Sequence, residues 1–291
     1  QVLALLLHKN DEKKRRQSPA PVLLVCPTSV VGNWRREVER FAPSIKVLVH
    51  HGSGRYAGRE FIERARGHDL VISTYSLALR DREDLSKMEW EGVILDEAQN
   101  IKNPFAKQAQ AVRDIVRGYR IALTGTPVEN RLTELWSIME FLNPGYLGPL
   151  TSFKTHFANP IERYKSPAAS ERLRKIIQPF VLRRLKTDKS IINDLPEKME
   201  IKVYCNLSRE QVTLYQATVD DMMRKIEESK GIQRRGLVLY TLTKLKQVCD
   251  HPALFLQDGS DISQRSEKLN RLCEMLEEVL SEGDKALIFT Q

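Results

Sequence analysis

Between residues 22 and 127, short apolar runs rich in Val, Ile and Leu alternate with stretches of helical periodicity, and this alternation constrains the fold more than any other feature. The runs are VLLVC (22–26), IKVLVH (45–50), DLVIS (69–73), GVILD (92–96) and RIALT (120–124). Near-continuous apolar strands belong inside a parallel sheet covered by helices on both faces, so the first half of the chain is expected to be α/β. The intervening segments supply the helices. In WRREVERF, Trp34, Val38 and Phe41 recur on one helical face. In NPFAKQAQAVRDIV, Asn103 is the expected N-cap and Pro104 the first helical residue. In RLTELWSIMEFL, the residues Leu132, Leu135, Trp136, Met139 and Leu142 form one stripe, stopped by NPG.

Beyond about residue 150 the alternation fails and the pattern becomes mainly helical. Residues 171–189 carry seven basic residues against two acidic. A strand-like KMEIKVYCNL follows. SREQ then fits a capping box, with Ser208 and Gln211 opening a long helix to about residue 229. Two more helices are expected through LVLYTLTKLKQVCD and SEKLNRLCEMLEEVL, before GDKALIFT returns to the apolar-strand pattern. The expected organisation is therefore 1–150, a sheet domain; 151–262, a helical insertion and connection; and 263–291, the start of a second sheet domain. Because the chain opens inside an expected helix and closes inside an expected strand, it reads as a segment of a longer protein.

Composition narrows the function classes. The 46 Lys and Arg against 38 Asp and Glu leave a net charge of +8, which favours an anionic partner but equally describes a well-solvated basic protein. Cys26, Cys205, Cys249 and Cys273 are far apart with no C-x-x-C spacing, arguing against a zinc ribbon or a disulfide framework, and are read as reduced and structural. The pair His50-His51 lacks a third ligand at a useful spacing and reads as the flank of a turn. No apolar run is long enough to span a membrane, and the opening QVLALLLH lacks a signal-peptide context, so an intracellular location in cytoplasm, nucleoid or nucleus is expected.

Four segments carry chemistry. In a parallel α/β sheet, ligands sit beyond the carboxyl ends of the strands, where VILDEAQN places Asp96 and Glu97. Two adjacent carboxylates suit a division of labour, one holding hydrated Mg2+ and the other activating a water; an isolated DE dipeptide is also an ordinary solvated helix entry. LTGTPVEN (123–130) follows another strand, with Gly125 allowing a sharp turn, hydroxyls at Thr124 and Thr126, and Pro127 fixing the exit. In CPTSVVGNW, Thr28 and Ser29 bring hydroxyls and free N–H groups to a helix start, a site for phosphate oxygens. In STYSLALRD, Ser73, Thr74 and Tyr75 end a strand on the same edge.

Taken in order, VLLVCPTSVVGNW, LVISTYSLALRD, VILDEAQNIKNP, IALTGTPVENRLTELWSIMEFLNP, FVLRRLKTD, LPEKMEIKVYCNLS and LKQVCDHP resemble the blocks of the Swi/Snf family of helicase-like, DNA-dependent ATPases of superfamily two. The resemblance implies a RecA-like sheet of the P-loop NTPase type, ATP and Mg2+ as cofactors, and sequence-independent binding to the double-stranded DNA backbone, with DNA-bound proteins as possible targets and no membrane. It implies that Asp96 coordinates Mg2+ through water, that Glu97 activates the attacking water, and that Gln99 touches the γ-phosphate region or the facing lobe. Thr124, Gly125, Thr126 and Asn130 would couple hydrolysis to lobe movement. Thr28, Ser29 and Thr74 would contact the DNA backbone. Arg183, Arg184 and Lys186 would reach phosphates or brace the interlobe junction, the alternative being a solvated helical face. The family's phosphate-loop Lys would precede Gln1, and its second-lobe arginines would follow residue 291, so these 291 residues alone are expected to be inactive. Alternatives are an RNA helicase, a restriction motor, and a nucleic-acid-binding scaffold with a decayed ATPase.

Overall fold

A computed structural model describes residues 1–16, 20–115, 118–126, 130–184, 198–228 and 231–290, with the backbone alone for 10–16 and 228. They form two compact units, Gln1–Leu185 and Lys186–Gln291.

The first unit runs α1 (Val2–Arg16), β1 (Val22–Cys26), a 3-10 turn (Thr28–Val30), α2 (Val31–Phe41), β2 (Val47–Val49), α3 (Gly58–Arg66), β3 (Leu70–Thr74), α4 (Tyr75–Arg80), α5 (Arg82–Lys87) and β4 (Gly92–Leu95). A second 3-10 turn (Ala98–Ile101) leads to α6 (Lys107–Asp114), β5 (Tyr119–Ala122), α7 (Leu132–Leu142), α8 (Leu150–Phe153), a π-helical turn (Lys154–Ala158), α9 (Asn159–Glu162) and α10 (Pro167–Ile177). All strand pairs are parallel, in the order β2-β3-β1-β4-β5. The expected parallel α/β fold is therefore present, each apolar run contributing a strand.

The doubly apolar strands explain themselves in the packing. Val22, Leu24 and Cys26 of β1 face a core shared with α1 and α2, through Leu6, Val31 and Val38. Leu23 and Val25 face the opposite core, with Phe61, Ala78, Val112 and Phe141 from the helices after β2. Full burial of each such side chain contributes about 1.5–3 kcal/mol, which is why both faces of the strand are apolar. α8, the π-helical turn and α10 pack on α7 around Leu135, Trp136, Met139, Phe153 and Leu173, so the compact unit extends past residue 150.

Several local expectations change. Phe41 is 55% exposed, with Arg40 over its ring, because α2 ends there and the buried stripe runs through Val31 and Val38. Asn103 does not cap α6. Its Oδ1 accepts from Phe105 N at 3.0 Å in a turn, and the helix begins four residues later with Ala106 as N-cap. The α7 stripe stands as expected, ending at Asn143 with Gly145 at φ +76°.

The second unit contains α11 (Arg209–Glu228), α12 (Gly231–Asp250), α13 (Pro252–Leu256) and α14 (Glu267–Ser281). The capping box forms reciprocally. Ser208 N donates to Gln211 Oε1 at 3.0 Å, and Gln211 N donates to Ser208 Oγ at 3.2 Å. Residues 198–207 and 284–290, expected as strands, have no regular structure. A strand exists by its ladder, and among the described residues of this unit no strand offers one.

Candidate functional site

The register aligns the carboxyl ends of the central strands. Val25 pairs with Leu95, and Leu95 with Ala122, so Cys26, Asp96 and Leu123 stand along one edge. After β1 the chain leaves toward the α2 face, and after β4 toward the face of α6. Neighbouring strands that send their chains to opposite faces open a crevice between them, the place where α/β sheets hold ligands.

Asp96 and Glu97 lie at that crevice, both partly exposed. Asp96 continues the ladder, its N–H donating to Val25 O at 2.9 Å. Glu97 adopts φ 51° and ψ 55°, a left-handed conformation that costs a non-glycine residue about 1 kcal/mol or more. The surroundings hold it. Ala98 N donates to Leu123 O at 2.8 Å, and Asn100 Nδ2 donates to Glu97 O at 2.8 Å.

The two carboxylates have different neighbours. Asp96 Oδ1 accepts from Glu97 N at 3.0 Å, and Oδ2 accepts from the indole N–H of Trp34 at 2.7 Å. The Tyr75 hydroxyl donates to Asp96 O at 2.8 Å. Burial, reinforced by Asp96, Cys26 and Glu97, raises the Tyr75 pKa, so the phenol stays a donor. Burial and the Asp96 charge push the Cys26 thiol up to about 12, leaving an inert side chain beneath the site.

Glu97 begins a relay. Gln99 Nε2 donates to Glu97 Oε2 at 2.6 Å, and Gln99 Oε1 accepts from Thr124 Oγ1 at 2.8 Å. Thr124 Oγ1 in turn accepts from Thr126 N at 3.1 Å. Because one end of the amide meets a carboxylate and the other a hydroxyl donor, both Gln99 orientation and Thr124 rotamer are fixed. The segments DEAQ and LTGT, expected beside each other at the strand ends, meet in one network.

Of the other candidates, Thr126 joins this network only through its N–H, and the rest lie apart from it. Gly125 and Thr126 are exposed; Gly125 has open space where a Cβ would stand and no positive φ, so the turn does not demand glycine. Asn130 is exposed, its N–H donating to Glu134 Oε2 at 3.1 Å. Thr28 and Ser29 are exposed on the turn before α2. Thr74 is not at the surface: it is 1% exposed, and its hydroxyl caps α4 through Leu77 N and pairs with Ser76 Oγ. The N-cap preference of threonine explains its position at that strand end. Arg183 and Arg184 are exposed beyond α10; Lys186 and Pro127 lie outside the described residues. Trp34 is the site residue that sequence reasoning misses, whereas Tyr75, expected only as one of three residues ending a strand on this edge, reaches the site through its hydroxyl. The spacing of Trp34 reads as part of an apolar face, and the donor on its rim is the signal available.

Among the described residues, no three His, Cys, Asp or Glu side chains gather to enclose a metal. The pair of carboxylates fits Mg2+, which takes one or two carboxylates, keeps several waters and completes its shell with substrate phosphates. His50 lies outside the site. It is 2% exposed at the end of β2, its Nε2 2.9 Å from Asp81 Oδ2, and Arg55 grips the same carboxylate from Nε and Nη2 at 2.6 and 2.9 Å. Among the described residues no helix is long and apolar enough to cross a membrane.

The model of the SNF2-related domain family matches residues 1–254. YwqA of Bacillus subtilis is 42% identical over 293 residues, covering 100% of this chain and 32% of its own length. The TATA-binding protein-associated factor MOT1 of Saccharomyces cerevisiae is 35% identical over 268 residues, covering 86% of this chain and 14% of its own. The chain thus spans a third or less of these relatives. A solved SWI2/SNF2 ATPase core of Sulfolobus solfataricus in complex with dsDNA is 47% identical, with a TM-score of 0.58 over 97% of this chain and 58% of that one.

Proposed function

Since this chain belongs to the SNF2-related domain family and has its RecA-like parallel sheet, we propose that the protein is an ATP-dependent motor that moves along double-stranded DNA and remodels or displaces what is bound there. The observation that carries this reading is the relay from Glu97 through Gln99 to Thr124 at the sheet's carboxyl edge. It joins a group able to activate water to a loop able to respond when the water has reacted.

In this mechanism Asp96 would hold Mg2+, and the metal, when bound, would supply neutralisation of the charge on the substrate phosphates. Gln99 occupies Glu97 Oε2, which leaves Oε1 to accept the proton of the attacking water. The left-handed backbone at Glu97 holds this acid one residue beyond the strand while Asp96 stays in register. As negative charge at Glu97 changes, the hydrogen bond donated by the Gln99 amide weakens or strengthens, and Thr124 with Thr126, Gly125 and Asn130 carries the change away from the site. Thr28 and Ser29, with Arg183, Arg184 and Lys186, contact DNA phosphates, which implies sequence-independent binding. The solved Sulfolobus solfataricus neighbour is a complex with dsDNA, which supports a duplex substrate. We place residues 1–150 in the RecA-like lobe, 151–262 in the helical insertion and connection, and 263–291 at the start of a second lobe.

The test compares ATP hydrolysis by the full-length protein with duplex DNA, single-stranded DNA and single-stranded RNA. Stimulation by duplex DNA without strand separation is expected. Stimulation by RNA alone, or no hydrolysis with any nucleic acid, overturns the reading.

A further inference from the structure

We propose that Trp34 is a positioning residue that orients the Asp96 carboxylate and makes it responsive to DNA held at Thr28 and Ser29. The inference rests on the proposed roles of Asp96 and of that exposed turn.

Three observations place it. First, Trp34 reaches Asp96 through its one polar atom, the indole N–H, 2.7 Å from Oδ2. A hydrogen bond to a carboxylate this short belongs to the strong class. Second, the remaining geometry of Asp96 is fixed by main-chain and neighbouring groups: Glu97 N on Oδ1, Tyr75 on the carbonyl, and Val25 O on the N–H. The main-chain bonds hold the residue in place, while the indole bond on Oδ2, together with Glu97 N on Oδ1, sets the rotation of the carboxylate and hence where its unused lone pairs point. Third, the 3-10 turn Thr28–Val30 runs without a break into α2, whose fourth residue is Trp34. Thr28 and Ser29 are exposed, whereas Val31 and Val38 are anchored in the core. A contact that shifts the turn therefore shifts the indole. No comparable link joins the exposed turn to Glu97 among the described bonds, so the effect is directed at the metal-binding acid.

The test uses the full-length protein with 15N-labelled tryptophan, free of nucleotide and metal. This chain contributes three indole N–H signals; Trp90 donates to Leu85 O and Trp136 to Gly148 O, and Trp34→Phe assigns the third. Asp96→Asn is expected to move the Trp34 signal and leave those of Trp90 and Trp136 in place, and duplex DNA is expected to move it in the unaltered protein. In ATP turnover, Trp34→Phe should raise the Mg2+ concentration for half-maximal rate about three- to thirtyfold, the loss of one hydrogen bond to a partly exposed charge, with DNA affinity unchanged within about twofold. A Trp34 signal indifferent to Asp96→Asn, or an unchanged Mg2+ requirement in a folded Trp34→Phe protein, overturns the proposal. If Trp34→Phe fails to fold, Trp34→Tyr assigns the signal instead, and the response to Asp96→Asn decides it. A protein that hydrolyses no ATP overturns the functional reading instead, and the metal-free spectra judge the Trp34–Asp96 link separately.

Discussion

Breaking the relay at Gln99 and at Thr124 should have consequences that do not add. Gln99→Ala removes a bond to the Glu97 carboxylate at 2.6 Å and a bond from Thr124 at 2.8 Å. Thr124→Val removes the second bond, and also the acceptor for Thr126 N, at nearly constant volume. Hydrogen bonds to charged groups are worth about 1.5–3 kcal/mol and neutral ones about 0.5–1.5; partial exposure places both toward the lower end here. If the relay positions Glu97 for water activation, Gln99→Ala should lower kcat by about 1.5–2.5 kcal/mol of barrier, roughly 10- to 70-fold, with KM for ATP nearly unchanged. Thr124→Val should cost roughly fivefold or more. The double variant should be little worse than Gln99→Ala, giving a coupling energy of about 1 kcal/mol. The assay is steady-state ATP turnover of the full-length protein with saturating duplex DNA. Effects that multiply would mean that Gln99 and Thr124 act independently, and the relay would be a packing detail.

Two further outcomes follow from other parts of the molecule. Burial is the largest influence on His50 and lowers its pKa below 6.5, outweighing Asp81. The folded state then binds fewer protons than the unfolded one, so stability is full above pH 6.5 and falls as pH drops below it, by at most about 1.4 kcal/mol per pH unit. Denaturant unfolding of His50→Gln should lack this part of the slope, and an identical slope would refute the assignment. If Arg183 and Arg184 each hold a phosphate, the double alanine variant should lower the magnitude of the log–log salt slope of DNA binding by nearly two. An unchanged slope would mark the pair as a solvated surface.

Most of the sheet was legible because a strand buried on both faces must be apolar at every position, as Leu23 and Leu24 are. Chain ends of elements were less legible. Asn103 carries every local sign of an N-cap, yet its side chain is satisfied two residues on, and nothing local distinguishes the two outcomes. The strand-like 198–207 and 284–290 fail for a non-local reason, since β-structure needs a partner that local pattern does not specify. At the site, the sequence located the acids but not their connections. Thr74 and Thr124 both end strands with a hydroxyl; only the fold decides that one is buried under a helix cap and the other meets Gln99. Trp34 illustrates the same limit, because an apolar periodicity counts its ring and is silent about its N–H.

The most direct measurement of the central claim is ATP turnover by the full-length protein carrying Glu97→Gln, in the presence of duplex DNA, alongside its affinity for ATP. The substitution keeps the size of the side chain and a partner for Gln99 while removing the proton acceptor. The expected result is a loss of turnover of at least about 100-fold with ATP affinity preserved, the loss being that of a general base. Turnover that persists in this variant would contradict the role assigned to Glu97, and with it the account of the site.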